Sequence, residues 1–159
     1  MRRDTPPVFT SFEMTITKEW AEAGFIMTKE IRHRVTIRAT PARVYAALMD
    51  EKKHAQFTGE RARIDRRVGG TFTCYGTYIN GINLELLPGK YIVQAWRSRN
   101  WPKGIYTIVT FRLSKAAGGR TTLHFSQVGV PVNDYRDKNK GWRTHYWEPL
   151  KRYLEGKAG

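Results

Sequence analysis

Over the last segment of the chain, apolar residues recur every three or four positions. Trp142, Tyr146, Pro149, Leu150 and Tyr153 make one stripe, and Trp147 and Leu154 widen it around Leu150. The spacing predicts one long helix from Asp134 to Glu155, with Asp134 at the N-cap and Gly156 at the stop. Lys138, Lys140, Arg143, Lys151 and Arg152 fall between the stripe positions and belong in water. Pro149 lacks an amide donor, so a bend is expected there. A stripe with two tryptophans and two tyrosines needs a cover.

Upstream the period is two. Ile31, His33, Val35 and Ile37 alternate with Arg32, Arg34, Thr36 and Arg38, the pattern of a half-buried antiparallel strand. Thr40-Pro41 then opens a short helix with Val44, Tyr45, Leu48 and Met49 on its apolar face, and a second turn is expected around Glu51 to Ala55. Strands are expected at Arg61–Asp65, Thr71–Tyr75, Tyr78–Leu86, Tyr91–Arg97, Ile105–Leu113 and Thr121–Gln127. In the third of these, Ile82, Leu84 and Leu86 alternate onto one face. Val68-Gly69-Gly70, Pro88-Gly89 and Ala117-Gly118-Gly119 supply the turns, and Gly76 a bulge or bend. Before all this, Phe12, Met14 and Ile16 allow a short strand and Thr17 to Gly24 one helical turn. A parallel sheet would need helices between the strands, and none are signalled. The expected architecture is α+β: a curved antiparallel sheet closed by the C-terminal helix.

Composition narrows the class. A chain of 159 residues with 40% hydrophobic and 13% aromatic residues suits one globular domain. The expected division is an N-terminal extension over 1–30, the domain over 31–156 and a tail over 157–159. No apolar run approaches the roughly 18 residues of a membrane span, and Met1-Arg2-Arg3 has no apolar stretch behind it to make a signal peptide. One cysteine, Cys74, excludes an intrachain disulfide and a thiolate cluster, and cytoplasmic residence is the expectation. The charge stands out more: 28 Lys and Arg against 14 Asp and Glu, a formal +14. Such a field is either a solvated surface or an attraction for an acidic protein or another polyanion. Specific nucleic-acid recognition is disfavoured, because no binding motif is present and aromatics are not interleaved with basic residues on one strand.

Several stretches carry a family resemblance. Thr40-Pro41-Ala42-Arg43-Val44-Tyr45 resembles the entry helix of the START-related SRPBCC superfamily, with its helix-grip fold. Val68 to Phe72, Ile92 to Arg97, Trp101-Pro102-Lys103-Gly104 and Gly141-Trp142 followed by Tyr146-Trp147 are similar to the C-terminal domain of the activator of heat-shock protein 90 ATPase, as are Phe57-Thr58 and Ala62. The resemblance covers roughly 31–155. It implies a helix-grip domain (START/Bet v 1-like) that is not an enzyme and carries no cofactor. Family activators carry a separate N-terminal domain, for which the residues before 31 are too few.

Candidate chemistry is sparse. His33, His54, His124 and His145 show no metal-site pairing, though His33 and His124 fall on strands that could approach. Glu60, Asp65 and Glu85 are scattered over predicted strands. Cys74 alternates onto the expected buried face as a small apolar filler. The family implies an apolar pocket under the last helix, walled by Trp96, Trp142 and Tyr146 with His33, Tyr78 and Gln94 as polar groups. Arg61, Arg63, Arg66, Arg67 and Trp101 are candidates for a partner surface. The expected function is non-catalytic binding, of a chaperone or other acidic protein surface or of an apolar small molecule. The alternatives are a cyclase- or hydrolase-type enzyme built into the same cavity, or a basic nucleic-acid-binding module.

Overall fold

A computed structural model gives the fold and describes residues 27–156. Strand β1 (Thr28–Ile37) leads to helices α1 (Pro41–Met49) and α2 (Glu51–Thr58). Six strands follow: β2 (Arg63–Ile64), β3 (Thr71–Cys74), β4 (Ile79–Leu87), β5 (Tyr91–Ser98), β6 (Thr107–Ala116) and β7 (Arg120–Pro131). The last helix, α3, is α-helical over Tyr135–Gly141, π-helical over Trp142–Trp147 and α-helical again over Glu148–Glu155. The strand and helical turn expected within residues 12–24 lie outside the described residues.

All strand pairs are antiparallel, in the order β1-β7-β6-β5-β4-β3-β2. Short connections make each of β2 to β7 a neighbour of the next, and β1 closes on β7 with Ile31, His33, Val35 and Ile37 facing Gln127, Phe125, Leu123 and Thr121. One sheet face buries Phe72, Ile92, Trp96, Val109, Phe111, Leu123 and Phe125, and α3 lies on it through Trp142, Tyr146, Trp147, Leu150 and Leu154. This is the helix-grip arrangement.

The helix ends follow local rules. Thr40 accepts from the Arg43 amide at 3.3 Å with Pro41 in the first position, and Asp50 accepts from the Lys52 and Lys53 amides. Those amide donors hold the Asp50 carboxyl below its ordinary range. α2 runs on to Thr58, longer than the turn expected, and Gly59 closes it at φ 77°. Arg43 donates to the Leu154 carbonyl at 3.0 Å and the Arg38 amide to Glu155 at 2.9 Å, which ties the end of α3 to the start of the domain.

Several expectations are corrected. Asp134 stands before α3 but makes no side-chain cap, because its carboxylate accepts from the Trp101 indole at 2.6 Å. Lys138, expected in water, lies against that carboxylate at 3.4 Å with 15% of its side chain exposed. Gly156 ends the helix in the right-handed region, so it does not stop it by a left-handed cap. Ile82, Leu84 and Leu86 do not share one face of β4: Ile79, Gly81 and Asn83 are buried while Ile82 and Leu84 are exposed. Gly81 lies across from Trp96, and a Cβ on it would collide with the Ala95 carbonyl and the Phe72 ring. A register shift between Asn83 and Glu85 then resets the alternation, and Leu86 turns inward opposite Ile92.

Candidate functional site

An aromatic cluster fills the space beneath α3. Trp142 packs on Phe125 at 4.3 Å between ring centroids, Tyr146 at 4.8 Å and Trp96 at 4.9 Å. Among the described residues each buried indole N–H has an acceptor. Trp96 donates to Gln94 Oε1 and Trp142 to Gln127 Oε1, both at 2.7 Å, and Trp147 donates to His33 Nδ1 at 2.8 Å. Because Nδ1 of His33 accepts, its proton sits on Nε2, which donates to Asn139 Oδ1 at 2.7 Å. Burial pushes the His33 pKa down, so the ring is a neutral pin between β1 and α3. The Gln94 amide donates in turn to Asn83 Oδ1, and Asn83 donates to the Asp65 and Arg67 carbonyls. Gln127 donates to Thr107, which donates to the Trp96 carbonyl. Every member of this chain of amides and hydroxyls is buried, and each gains from being paired.

The π-helical turn is what lets three large aromatics enter the core together. In an α-helix, residues five apart point about 140° away from each other. The wider turn brings Trp142 and Trp147 towards one face, where their rings stack at 5.3 Å and 22°. Pro149 supplies the cause. It sends no N–H to the His145 carbonyl, and its ring crowds that carbonyl. The carbonyl instead accepts from the Tyr75 hydroxyl at 2.7 Å. Tyr75 is held at φ 53°, the left-handed region that side chains other than glycine avoid. The interruption of the helix by Pro149 takes the form of this π-helical turn just before it.

Beside the cluster lies an open groove of about 810 Å³ between α2, the β3–β4 turn, the end of β5 and α3. Trp96, Trp142, Tyr146 and Tyr78 line it, as do Phe57, Tyr75 and Ile79. Of the expected cavity residues, the structure therefore brings Tyr78, Trp96, Trp142 and Tyr146 together there, and places His33 and Gln94 behind them. Sequence reasoning missed Ser98, Gln127 and Lys138, which also line the groove. Ser98 is 1% exposed and its hydroxyl has no hydrogen-bond partner.

Among the described residues, burial is the main influence on the other titratable groups beside the groove. His54 shares a hydrogen bond of 2.9 Å with the Tyr146 hydroxyl, but its Nδ1 has no partner. No third group orients the ring as in a triad, and burial lowers the His54 pKa to about 4 and pushes that of Tyr146 well up. Burial also drives the Cys74 thiol up, away from the reactive range. His33 and His124 do not meet: His33 faces inward opposite Phe125, while His124 is opposite Arg34 on the exposed face. Among the described residues no group of three His, Cys, Asp or Glu could hold a metal. The expected partner-surface residues separate. Arg61 and Arg63 are exposed, Arg66 and Arg67 pair with Asp50 and Asp65, and Trp101 is 7% exposed with its indole committed to Asp134.

The sequence profile of the family described as Activator of Hsp90 ATPase homolog 1-like protein matches residues 38–155. The chain belongs to this family. It is 30% identical to an activator of 90 kDa heat shock protein ATPase homolog from Dictyostelium discoideum, over 78% of this chain and 32% of that protein. An HSP90 activator from Plasmodium falciparum superposes with a TM-score of 0.72 at 22% identity, covering 80% of this chain and 96% of the other. The solution structure of an Aha1 dimer from Colwellia psychrerythraea gives 0.69 at 22% identity, covering 82% and 99%. The chain spans about a third of the length of the curated relatives it matches. Within the matched region the Phe57, Trp96, Trp142 and Tyr146 positions of this activator-type domain all build the wall of the groove.

Proposed function

We propose that the domain is a non-catalytic binding module that engages a heat-shock protein 90 ATPase in the cytoplasm and stimulates it weakly. The observation that supports this best is the commitment of the interior to packing. Trp96, Trp142 and Trp147 each spend their one donor on a buried internal acceptor, so the aromatic cluster is a rigid platform and function moves to the exterior. The relatives' names supply the partner. Where two linked contacts act together, each raises the local concentration of the other; a single contact by this domain gives a weak effect. The +14 charge makes association faster and salt-sensitive.

Steady-state ATP turnover by the chaperone from the same organism, titrated with this protein at two salt concentrations, tests the reading. Modest stimulation at high concentration, suppressed by salt, is expected. Absence of both binding and stimulation overturns it.

The groove favours a second reading, in which the domain holds a small molecule with an apolar body and one polar atom. The unpartnered Ser98 hydroxyl is the specific observation behind it, since a buried hydroxyl left unpaired costs roughly 1–3 kcal/mol. Trp96 and Trp142 both line the groove. Their emission would report occupancy by a probe such as anilinonaphthalene sulfonate, and Ser98→Ala should weaken that binding if the hydroxyl is used.

A further inference from the structure

The sheet face turned away from α3 carries an apolar row that the core does not use. Ile82 pairs with Ala95, Ala95 with Ile108, and Ile108 with Val128, so the row runs straight across β4, β5, β6 and β7. Ile82, Ile108 and Val128 are 37%, 41% and 49% exposed. Leu84 and Tyr106 extend the patch at 42% and 44%. The final helix packs on the opposite face, where Trp96, Phe111 and Phe125 meet Trp142. Single exposed aliphatics are ordinary, but a contiguous set in register marks an interaction surface.

The rim is basic. Arg112 and Arg34 stand on either side of His124 in the strand register of this face, and Arg97 borders the other end over the Tyr106 ring. The acidic groups on the face are engaged: Glu30 with Arg32 at 2.8 Å, a pair that adds no net charge to the rim, and Glu85 with the Tyr91 hydroxyl. Guanidinium groups around an apolar centre match carboxylates around an apolar centre, since arginine presents a planar fork to a carboxylate. A second copy of this chain is the poorer occupant. An isologous contact would set identical arginine rims against each other on molecules that each carry +14.

We propose that the outer face of β4–β7 is the docking surface for an acidic protein partner with an apolar centre, and that it is the face through which this domain meets the chaperone. The proposal rests on the chaperone reading above.

The test uses the full chain and the heat-shock protein 90 of the same organism, with the dissociation constant measured by titration calorimetry. The variant Ile82→Thr/Ile108→Thr/Val128→Thr removes apolar surface but keeps β-branched residues that suit a strand. It should weaken binding roughly tenfold or more, as loss of a central apolar patch does. Arg34→Ser with Arg112→Ser should weaken binding and flatten its salt dependence. Val68→Thr, on an exposed apolar residue outside the row, should change nothing. If the triple variant unfolds, Ile108→Thr and Val128→Thr are each measured alone. Wild-type binding with row variants unaffected overturns the surface and leaves the chaperone reading standing. No wild-type binding removes both. A wild-type dimer in sedimentation that the row variants convert to monomer overturns the proposal in favour of a second copy.

Discussion

Replacing Trp142 should remove both a packing centre and one end of a buried hydrogen bond. The side chain is 6% exposed and its ring lies against Phe125, Tyr146, Trp96 and Trp147. Truncating a buried large aromatic to alanine costs about 3–5 kcal/mol. Trp142→Ala also strands Gln127, which is 1% exposed and accepts the indole N–H at 2.7 Å. An orphaned buried acceptor adds about 1–3 kcal/mol, so the loss should lie at the upper end of the truncation range or above it. Trp142→Phe separates the two terms, because it keeps most of the ring and loses the donor. Removing the acceptor as well, in Trp142→Phe/Gln127→Met, should cost less than the sum of the single changes by about 1 kcal/mol or more. Urea denaturation followed by far-ultraviolet dichroism measures all of these if the slope with denaturant is unchanged. A Trp142→Ala loss below about 1 kcal/mol, or strict additivity in the double variant, would refute the account of the platform.

Other consequences are equally open to measurement. His54 is buried neutral with its pKa lowered from 6.5 to about 4. Both states are neutral above 6.5; below it the unfolded chain takes up a proton that the folded one resists, so stability falls between about pH 6.5 and 4, by about 3 kcal/mol in all. His54→Gln, which can still pair with Tyr146, should flatten that decline in denaturation curves from pH 7 to 5. Gly81→Ala should destabilise by at least about 1–3 kcal/mol, because the added Cβ meets the Ala95 backbone; a neutral thermal shift would mean β4 is placed wrongly. Tyr75→Phe frees the His145 carbonyl and should cost about 1 kcal/mol, read from the chemical-denaturation midpoint. Cys74 should react with a thiol reagent only as the protein opens, so labelling that is rapid under native conditions contradicts its burial.

The residues alone determined the architecture. The alternation of β1, the Thr40-Pro41 start of α1, the absence of helices between strands and the aromatic stripe of α3 each follow from local rules. Together they admit one antiparallel sheet closed by a last helix, and the motifs between Phe57 and Trp147 add the family. Of the groove wall, the family resemblance pointed to Tyr78, Trp96, Trp142 and Tyr146. What it left open is every property that depends on a neighbour. Alternation marks two faces of a strand without saying which is inside. In β4 the answer came from Gly81, a residue with no hydrophobicity to count, whose missing side chain is the space occupied by Phe72 and held opposite Trp96. Trp101, expected at a partner surface, and Lys138, expected in water, are both drawn inward by Asp134, from 33 residues away in one case. The π turn needs Pro149 and the distant Tyr75 hydroxyl at once. The groove has no continuous motif, because its walls come from five parts of the chain, and the apolar row on the outer face exists only once four strands are in register. Periodicity is a property of one segment, whereas burial is a property of pairs, and the pairs that shape this protein's groove and outer face are brought together by the sheet.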